Sequence, residues 1–528
     1  VFTSDPSLPF AESFAVRDRR ILRVGDYSSL EDLVGERTKV VDVGGKVVVP
    51  GFIDSHVHLI IGGLEMALVD LQGVNQKDEF VRRVEEAVRI SDLKQGSWLL
   101  GGGWNNDLWG GELPVASWID HITPNNPVWL SRVDRHMGLA NTIALRLAGI
   151  SNLSEDPDGG SIAKSLLGEP TGLLVDSAMN LIFSCLPDTT VDDRRGALSR
   201  ASNFSLTKGV TTVVDFGRYF PGGSLHHSWE DLSDVYEWAD SLGRMRIRAC
   251  LFFPMESTSR LHDLLEKRGR ALSDRIYLGG VKAFADGSLG SNSALFYEPY
   301  VVEPDNNGLH VMDPETLMNM TLEADKSGLQ VAVHAIGDKA NDMILNMYES
   351  VISTNGERDR RFRIEHVQHL APESAARFGE LGIVASVQPQ HLLGDAESAI
   401  KRLGMDRAQR GSYLFQSLLA GNAQLALGSD WPVTEINPLE SIKVAIKRIP
   451  PGWDTAWIPS ERLSLSDALI SHTISAARAC FLDNDLGSLS AGKLADFVVL
   501  SATSLAELEA DGPVSVEATY VSGELAYP

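Results

Sequence analysis

Eight short apolar runs recur along this chain between helical stretches, and that alternation constrains the fold more than any other feature. The runs are "VVVPGFIDSHVHL" (47–59), "GVTTVVDFG" (209–217), "MRIRACLFF" (245–253), "YLGGVKAFADG" (277–287), "LQVAVHAIG" (329–337), "FRIEHVQHL" (362–370), "GIVASVQPQ" (382–390) and "QLALGSDWPV" (424–433). Helical patterns such as "PETLMNMTLEADKSG" and "PESAARFGELG" lie between several of them. Strands covered on both faces read as continuous apolar runs, and their alternation with helices implies a parallel sheet. Eight such units suit an α/β fold of the TIM (β/α)8 barrel type with insertions.

Two regions lie outside that pattern. Residues 1–50 and 485–528 read as short strands and turns ("FAVRDRRILRVG", "LADFVVLSA", "ATYVSGELAY"), so a composite β-sandwich built from both termini is expected beside a barrel over 51–484. Residues 70–205 separate the first barrel strand from the second and are rich in Trp and Gly ("GGGWNNDLWGGELPVASWID"). A plain βα unit needs far less chain, so this segment is read as an inserted lid subdomain. The first residues look like the middle of a strand and its turn. Upstream residues are therefore expected, and localisation stays open between the cytoplasm and, with a targeting segment, the endoplasmic reticulum.

Composition narrows the functional classes. With 43% hydrophobic residues, 22% charged residues and a formal net charge of −24, the chain has the make-up of a globular protein with an acidic surface. Nucleic acid is not expected as a partner, because a phosphate backbone is bound by clustered Lys and Arg. The three cysteines, Cys185, Cys250 and Cys480, are far apart and form no CxxC, which argues against a disulfide framework and against a thiolate zinc site.

The polar residues at the strand ends carry the chemistry. Asp54, His56 and His58 alternate at the end of the first run, and alternation would turn all three inward at the barrel mouth. An H-x-H alone reads equally as packing or as metal binding. The later runs add Lys282, His334, His366 and Asp430. So many histidines, a lysine and an aspartate at strand ends are hard to explain as packing, because buried charge is costly unless paired or metal-bound. The set fits two divalent ions, with zinc the expected metal: His56, His58 and Asp430 on one, His334 and His366 on the other. Lys282 would have to lose its proton and add carbon dioxide, giving a carbamate that bridges the ions. If it stays an amine, a single-ion site is the outcome.

The stretches "PGFIDSHVHL", "GGGWNNDLWGGELP", "VKAFADGSLGSNSA", "HAIGDKAND", "RIEHVQHL", "LGSDWPV" and "GKLADFVVL" resemble the amidohydrolase superfamily in its YtcJ-like (amidohydrolase 3) branch, and the plant long-after-far-red group within it. The resemblance runs in order along nearly the whole chain. It implies the (β/α)8 barrel, the composite sandwich and a metal centre whose ligands are His56, His58, carboxylated Lys282, His334, His366 and Asp430. It also implies hydrolysis of an amide-type C–N bond in an N-formyl or N-acyl amine, by attack of a metal-activated hydroxide on the carbonyl with Asp430 as proton shuttle.

Around that centre, Trp104, Asn105, His136, Gln388 and His391 are candidates for substrate contact, and Asp338 and Glu365 for orienting the histidines. Ordinary packing competes for Trp104 and Asn105, and helix capping for His136. The expected partner is an uncharged small-molecule amide, and the chain is expected to form a homodimer. Two alternatives stay open: a regulatory, light-signalling-related protein that keeps the hydrolase fold, and a cyclic-amide hydrolase or metal-dependent isomerase.

Overall fold

The structure is a computed structural model that describes the chain apart from residues 91–94, 133–136, 158–159 and 222, and apart from the side chains of 107, 160, 176 and 177. It divides into two compact units, one formed by Val1–Gly63 with Arg194–Pro528 and the other by Leu64–Asp193.

The first unit holds an eight-stranded parallel sheet: β1 (Phe52–Val57), β2 (Val210–Asp215), β3 (Arg248–Pro254), β4 (Ile276–Phe284), β5 (Gln330–Ala335), β6 (Arg363–His366), β7 (Val384–Val387) and β8 (Gln424–Leu427). Each strand pairs in parallel with the next from β1 to β8. Ile53, Val214, Cys250, Ala332, Val384 and Ala426, one from each of six strands, share one buried cluster, so they meet in the barrel interior. Closure of β8 on β1 comes past the last residues of β8. The Asp430 N–H donates to the His56 carbonyl (2.7 Å), and the His58 N–H donates to the Trp431 carbonyl (2.8 Å).

The crossover helices follow from local signals. In Pro314–Lys326, Asp313 caps the helix by accepting the Thr316 N–H at 2.9 Å, and proline occupies the first turn. Leu317, Thr321 and Ala324, spaced three and four apart, turn one face inward. No helix among the described residues is long and apolar enough to cross a membrane.

Both termini contribute to one antiparallel sheet. Val48–Pro50 pairs with Phe497–Leu500, which pairs with Val516–Val521, which pairs with Glu524–Tyr527. A hairpin of Ser13–Arg17 and Arg20–Gly25 shares a core with it through Ile21, Val48, Ala495 and Val499. Arg248, fully buried at the start of β3, ties this sheet to the barrel. Its guanidinium donates to both Asp496 oxygens at 3.0 Å and to the Ser522 hydroxyl at 2.7 Å.

The second unit carries a six-stranded sheet in the order Val69–Asp70, Leu99–Trp104, Val128–Arg132, Met137–Ala140, Pro170–Asp176, Gly160–Lys164. Its boundary falls short of residue 205. Helix Val191–Thr207 belongs mostly to the barrel unit, because Arg194 is buried against Asp231 (2.5 Å) and a Cβ on Gly63 would meet the Ala197 carbonyl oxygen at 2.2 Å.

Removing one partner of a buried charge pair leaves the other unpaired in a low dielectric. Arg248→Ala is therefore expected to lower the unfolding free energy by about 3–5 kcal/mol, read by denaturant unfolding of the barrel unit.

Candidate metal centre

The site assembles where β1 and β8 meet. Strict alternation would put Asp54 and His56 on one face, and the structure departs from it. The β1–β2 ladder pairs Val213 with Asp54 but Asp215 with Val57, so β1 carries an extra residue there. Ser55 faces Ser386 across the barrel at 3.4 Å, and His56 immediately after it reaches Glu365 on β6. Asp54 turns toward β8, where it accepts the Ser429 N–H at 2.9 Å. It steadies the segment that carries Asp430.

Asp430 stands between two pairs of imidazoles. Its Oδ1 lies 3.6 Å from His56 Nε2 and 3.5 Å from His58 Nε2. Its Oδ2 lies 3.9 Å from His366 Nδ1 and 3.8 Å from His391 Nε2. Lys282 enters from β4 with its ammonium 4.6 Å above the Phe216 ring, and the His334 and His366 rings are 4.5 Å apart. Among the described residues, two groups have donor atoms within 4.8 Å of one another: His56, His58 and Asp430, and His366, His391 and Asp430. His391, expected from the sequence to touch substrate, stands in the second group beside His366.

Second contacts fix the tautomers. A carbonyl or an ionised carboxylate can only accept, so the ring nitrogen facing it carries the proton and the opposite nitrogen keeps its lone pair. His56 Nδ1 donates to Glu365 (2.8 Å), His58 Nδ1 to the Gly217 carbonyl (2.7 Å) and His334 Nε2 to the Gly287 carbonyl (3.0 Å). Each of those partners is held in turn. Arg363, fully buried in the barrel, donates to Glu365 Oε1 at 2.7 Å and to the Ser55 carbonyl at 2.7 Å. Asp215 accepts the Leu59 and Gly217 N–H groups at 2.9 and 3.0 Å and the Tyr236 hydroxyl at 2.5 Å. Asp286 accepts the N–H groups of Leu295, Ile336 and Gly337 within 3.0 Å, next to Gly287.

Burial sets the charge states. It pushes His58 down to about 4 and His334 to about 3, both helped by Lys282, and it drives His56 and His366 well below the ordinary histidine range. Burial also lowers Lys282, against the pull of Glu365 and Asp430, and raises Asp430, against Lys282. For Glu365 burial acts upward, but Arg363 and His56 more than offset it and keep the carboxylate ionised. Two of these residues sit in left-handed backbone: His366 at φ 79° and Asp430 at φ 58°. Non-glycine residues adopt that region rarely, and such outliers cluster at functional sites.

The remaining expected residues fall as follows. Gln388 is buried, and its Oε1 accepts from His366 Nδ1 at 2.8 Å, so it positions a histidine. Trp104 is a correction: it lies in the core of the second unit with its indole N–H on the Leu130 carbonyl (2.8 Å), and packing accounts for it. Asn105 and Asn106 each accept from the Arg132 guanidinium at 3.0 Å. Asp338 is a second correction: it accepts the Tyr297 N–H at 3.0 Å and has no histidine partner among the described residues. His136 lies outside the described residues. Sequence reasoning missed Arg363, Asp215 and Asp286 as supports. All three interrupt apolar strand runs, and the criterion used for the histidines would have found them.

Neutral imidazoles, a carboxylate and a depressed lysine, largely withdrawn from solvent, form a donor set that fits divalent cations. With the parallel eight-stranded sheet, they define a metal-dependent hydrolase of the barrel type. Comparison with known proteins makes this specific: residues 39–527 match the profile of the amidohydrolase family, and the chain belongs to that family. It is 65% identical over 528 residues to the protein LONG AFTER FAR-RED 3 of Arabidopsis thaliana, covering all of this chain and 90% of that one. It is 34% identical to the putative amidohydrolase YtcJ of Bacillus subtilis (98% of this chain, 96% of that one) and 27% to an N-substituted formamide deformylase of Arthrobacter pascens (100% and 97%). Among solved structures it resembles an uncharacterised metal-dependent hydrolase of Pyrococcus horikoshii, with TM-score 0.74 and 27% identity over 95% of both chains.

Protons compete with metal for imidazole, and these histidines bind protons only in acid. Acid titration of the loaded protein is expected to release metal with a midpoint below about pH 5; release centred near 6.5 would contradict the buried, neutral ligand set. In the apoprotein the same lowered values favour folding above the unfolded histidine pKa of about 6.5 and lose that contribution as pH falls toward 4. Glu365→Gln is expected to weaken zinc binding by about 10-fold or more, measured by calorimetric titration.

Proposed function

We propose that this chain hydrolyses amide-type C–N bonds in N-formyl or N-acyl amines, using two divalent ions, zinc foremost, and a carboxylated Lys282. The observation that carries the reading is Asp430, one carboxylate facing an imidazole pair with each of its oxygens at 3.5 to 3.9 Å. His56, His58, His334, His366 and Asp430 would hold the ions. Lys282, with its pKa drawn down by burial, offers a neutral amine whose nitrogen adds to the carbon of carbon dioxide and releases one proton to solvent. A divalent ion bound there supplies Lewis acidity toward a carbonyl oxygen and makes water more acidic.

The chain's own residues do the rest. Asp430 takes the proton of the attacking water and delivers it to the departing nitrogen, and its burial-raised pKa suits a group that must hold a proton between those two events. Phe220 stacks on His58 at 4.6 Å, and Tyr219 packs on Phe284 at 5.4 Å, so aromatic surface borders the ligands. Such a border favours an uncharged substrate. The name of the Arthrobacter relative points to N-substituted formamides among the amides. The terminal sheet and hairpin are read as the composite β-sandwich of the fold, and a homodimer is proposed as the assembly. The second reading, a regulatory protein that keeps this fold, draws on the Arabidopsis relative, which is named for far-red light.

The test is a panel of N-formyl, N-acetyl and cyclic amides assayed with chelated and zinc-restored protein. Metal-dependent release of an amine from a formyl or acyl member is expected. Asp430→Asn is expected to lower kcat by at least about 10²–10⁴-fold. Two bound ions with no turnover across the panel would favour the regulatory reading.

A further inference from the structure

We propose that Phe220 is a specificity-determining residue whose open ring face binds a flat aromatic group of the substrate beside the metal centre. This rests on the amide-hydrolase reading above and narrows its substrate class to amides that carry an aryl ring.

Three observations carry it. The first is position. Phe220 stacks on the His58 ring with centroids 4.6 Å apart and planes inclined by 29°. His58 Nε2 in turn lies 3.5 Å from Asp430 Oδ1. The phenyl ring thus stands one imidazole away from the donor atoms, within reach of a group a few bonds from the reacting carbonyl.

The second is exposure. Phe216 stacks on His56 at 4.1 Å and is buried, and Tyr219, Phe252 and Phe284 around it are buried too. Phe220 is 44% exposed, and His58 is its one aromatic partner among the described residues. Covering an imidazole does not require that exposure, as Phe216 demonstrates.

The third is rigidity. The loop after β2 is anchored residue by residue up to Phe220. Gly217 donates its N–H to Asp215 at 3.0 Å and accepts His58 Nδ1 on its carbonyl at 2.7 Å. Arg218 donates to both oxygens of buried Asp231 at 2.7 and 3.1 Å. The Tyr219 hydroxyl donates to Glu256, just past β3, at 3.0 Å. The Phe220 carbonyl accepts the Gly223 N–H at 2.9 Å. A ring already held in place loses little further freedom when a ligand settles on it.

The chemistry of the ligand follows. Aromatic rings attract one another beyond what burial of their area gives, in offset or edge-on arrangements set by their quadrupoles. A saturated ring of similar size offers apolar area without that term. Arg218 is paired with Asp231 and so is not free to draw a carboxylate.

The test compares zinc-loaded wild type, Phe220→Leu and Phe220→Trp, with elemental analysis and melting temperature as checks on the centre and the fold. Leucine keeps an apolar cover on His58 without a flat face, and tryptophan keeps the flat face. Two amide arms locate the substrate ring. Phenethyl against cyclohexylethyl amides of formic and acetic acid place it on the nitrogen side. N-methyl amides of phenylpropanoic against cyclohexylpropanoic acid place it on the acyl side. A third arm needs no turnover: the ketones in which CH2 replaces the amide N–H of the acetyl and N-methyl compounds are titrated by calorimetry. In wild type the aryl member is expected to exceed its cyclohexyl twin by about 3- to 10-fold, in kcat/KM for one amide arm and in affinity for the matching ketone. Phe220→Leu is expected to bring that ratio close to one, and Phe220→Trp to retain it. An aryl preference that is absent from every arm, or unchanged in folded, zinc-filled Phe220→Leu, overturns the proposal, while amide turnover in the same preparations leaves the functional reading standing. An aryl preference in ketone binding with no amide turned over keeps the subsite and removes the hydrolase reading.

Discussion

The barrel closes through the backbone of its own candidate ligands. β8 does not simply zip onto β1. The seam is completed by the Asp430 N–H on the His56 carbonyl and the His58 N–H on the Trp431 carbonyl. The two hydrogen bonds that end the sheet therefore also set the distance between the H-x-H pair and the aspartate. Asp54 reinforces the seam from below by accepting the Ser429 N–H. In this arrangement fold and site are not separable, since loosening the seam would move three donor side chains at once.

Around the seam, the barrel interior is polar where most cores are apolar. Arg363 and Glu365 are both fully buried and pair with each other at 2.7 Å, so removing either would leave the other's charge uncompensated. Their pairing keeps Glu365 ionised and so fixes the tautomer of His56. Asp215 and Asp286 act similarly at one remove, by fixing the peptide groups whose carbonyls receive His58 and His334. The centre is held by a ring of outward hydrogen bonds, each of which frees one lone pair to point inward.

Much of this was legible in the sequence. Apolar runs alternating with helical patterns pointed to the parallel barrel, because strands covered on both faces leave that mark. His56, His58, Lys282, His334, His366 and Asp430 stood out because polar residues at the ends of such runs need a reason. What was not legible depended on register and on contacts between distant segments. A one-residue bulge in β1 took Asp54 away from the histidines, and no alternation rule reveals a bulge. Trp104 looked like pocket lining because its surroundings are rich in Gly and Trp, yet it fills a core whose partners, such as Leu130 and Leu173, come from other strands. The place of His391 beside Asp430 depends on how the turn after β7 meets the segment after β8, which is a tertiary fact.

The left-handed backbone at Asp430 and His366 has an evolutionary side. Asparagine, aspartate and histidine tolerate that conformation better than other side chains, whereas longer or branched residues resist it. Both positions are thus filtered twice, once by donor chemistry and once by the peptide torsion beneath it. Exchange of Asp430 for glutamate, harmless on paper as another carboxylate, is opposed by the main chain before coordination is even considered. Attempts to retune this centre for a different cation would have to reshape the loop that presents the donors, because the alphabet available at those two positions is already nearly exhausted.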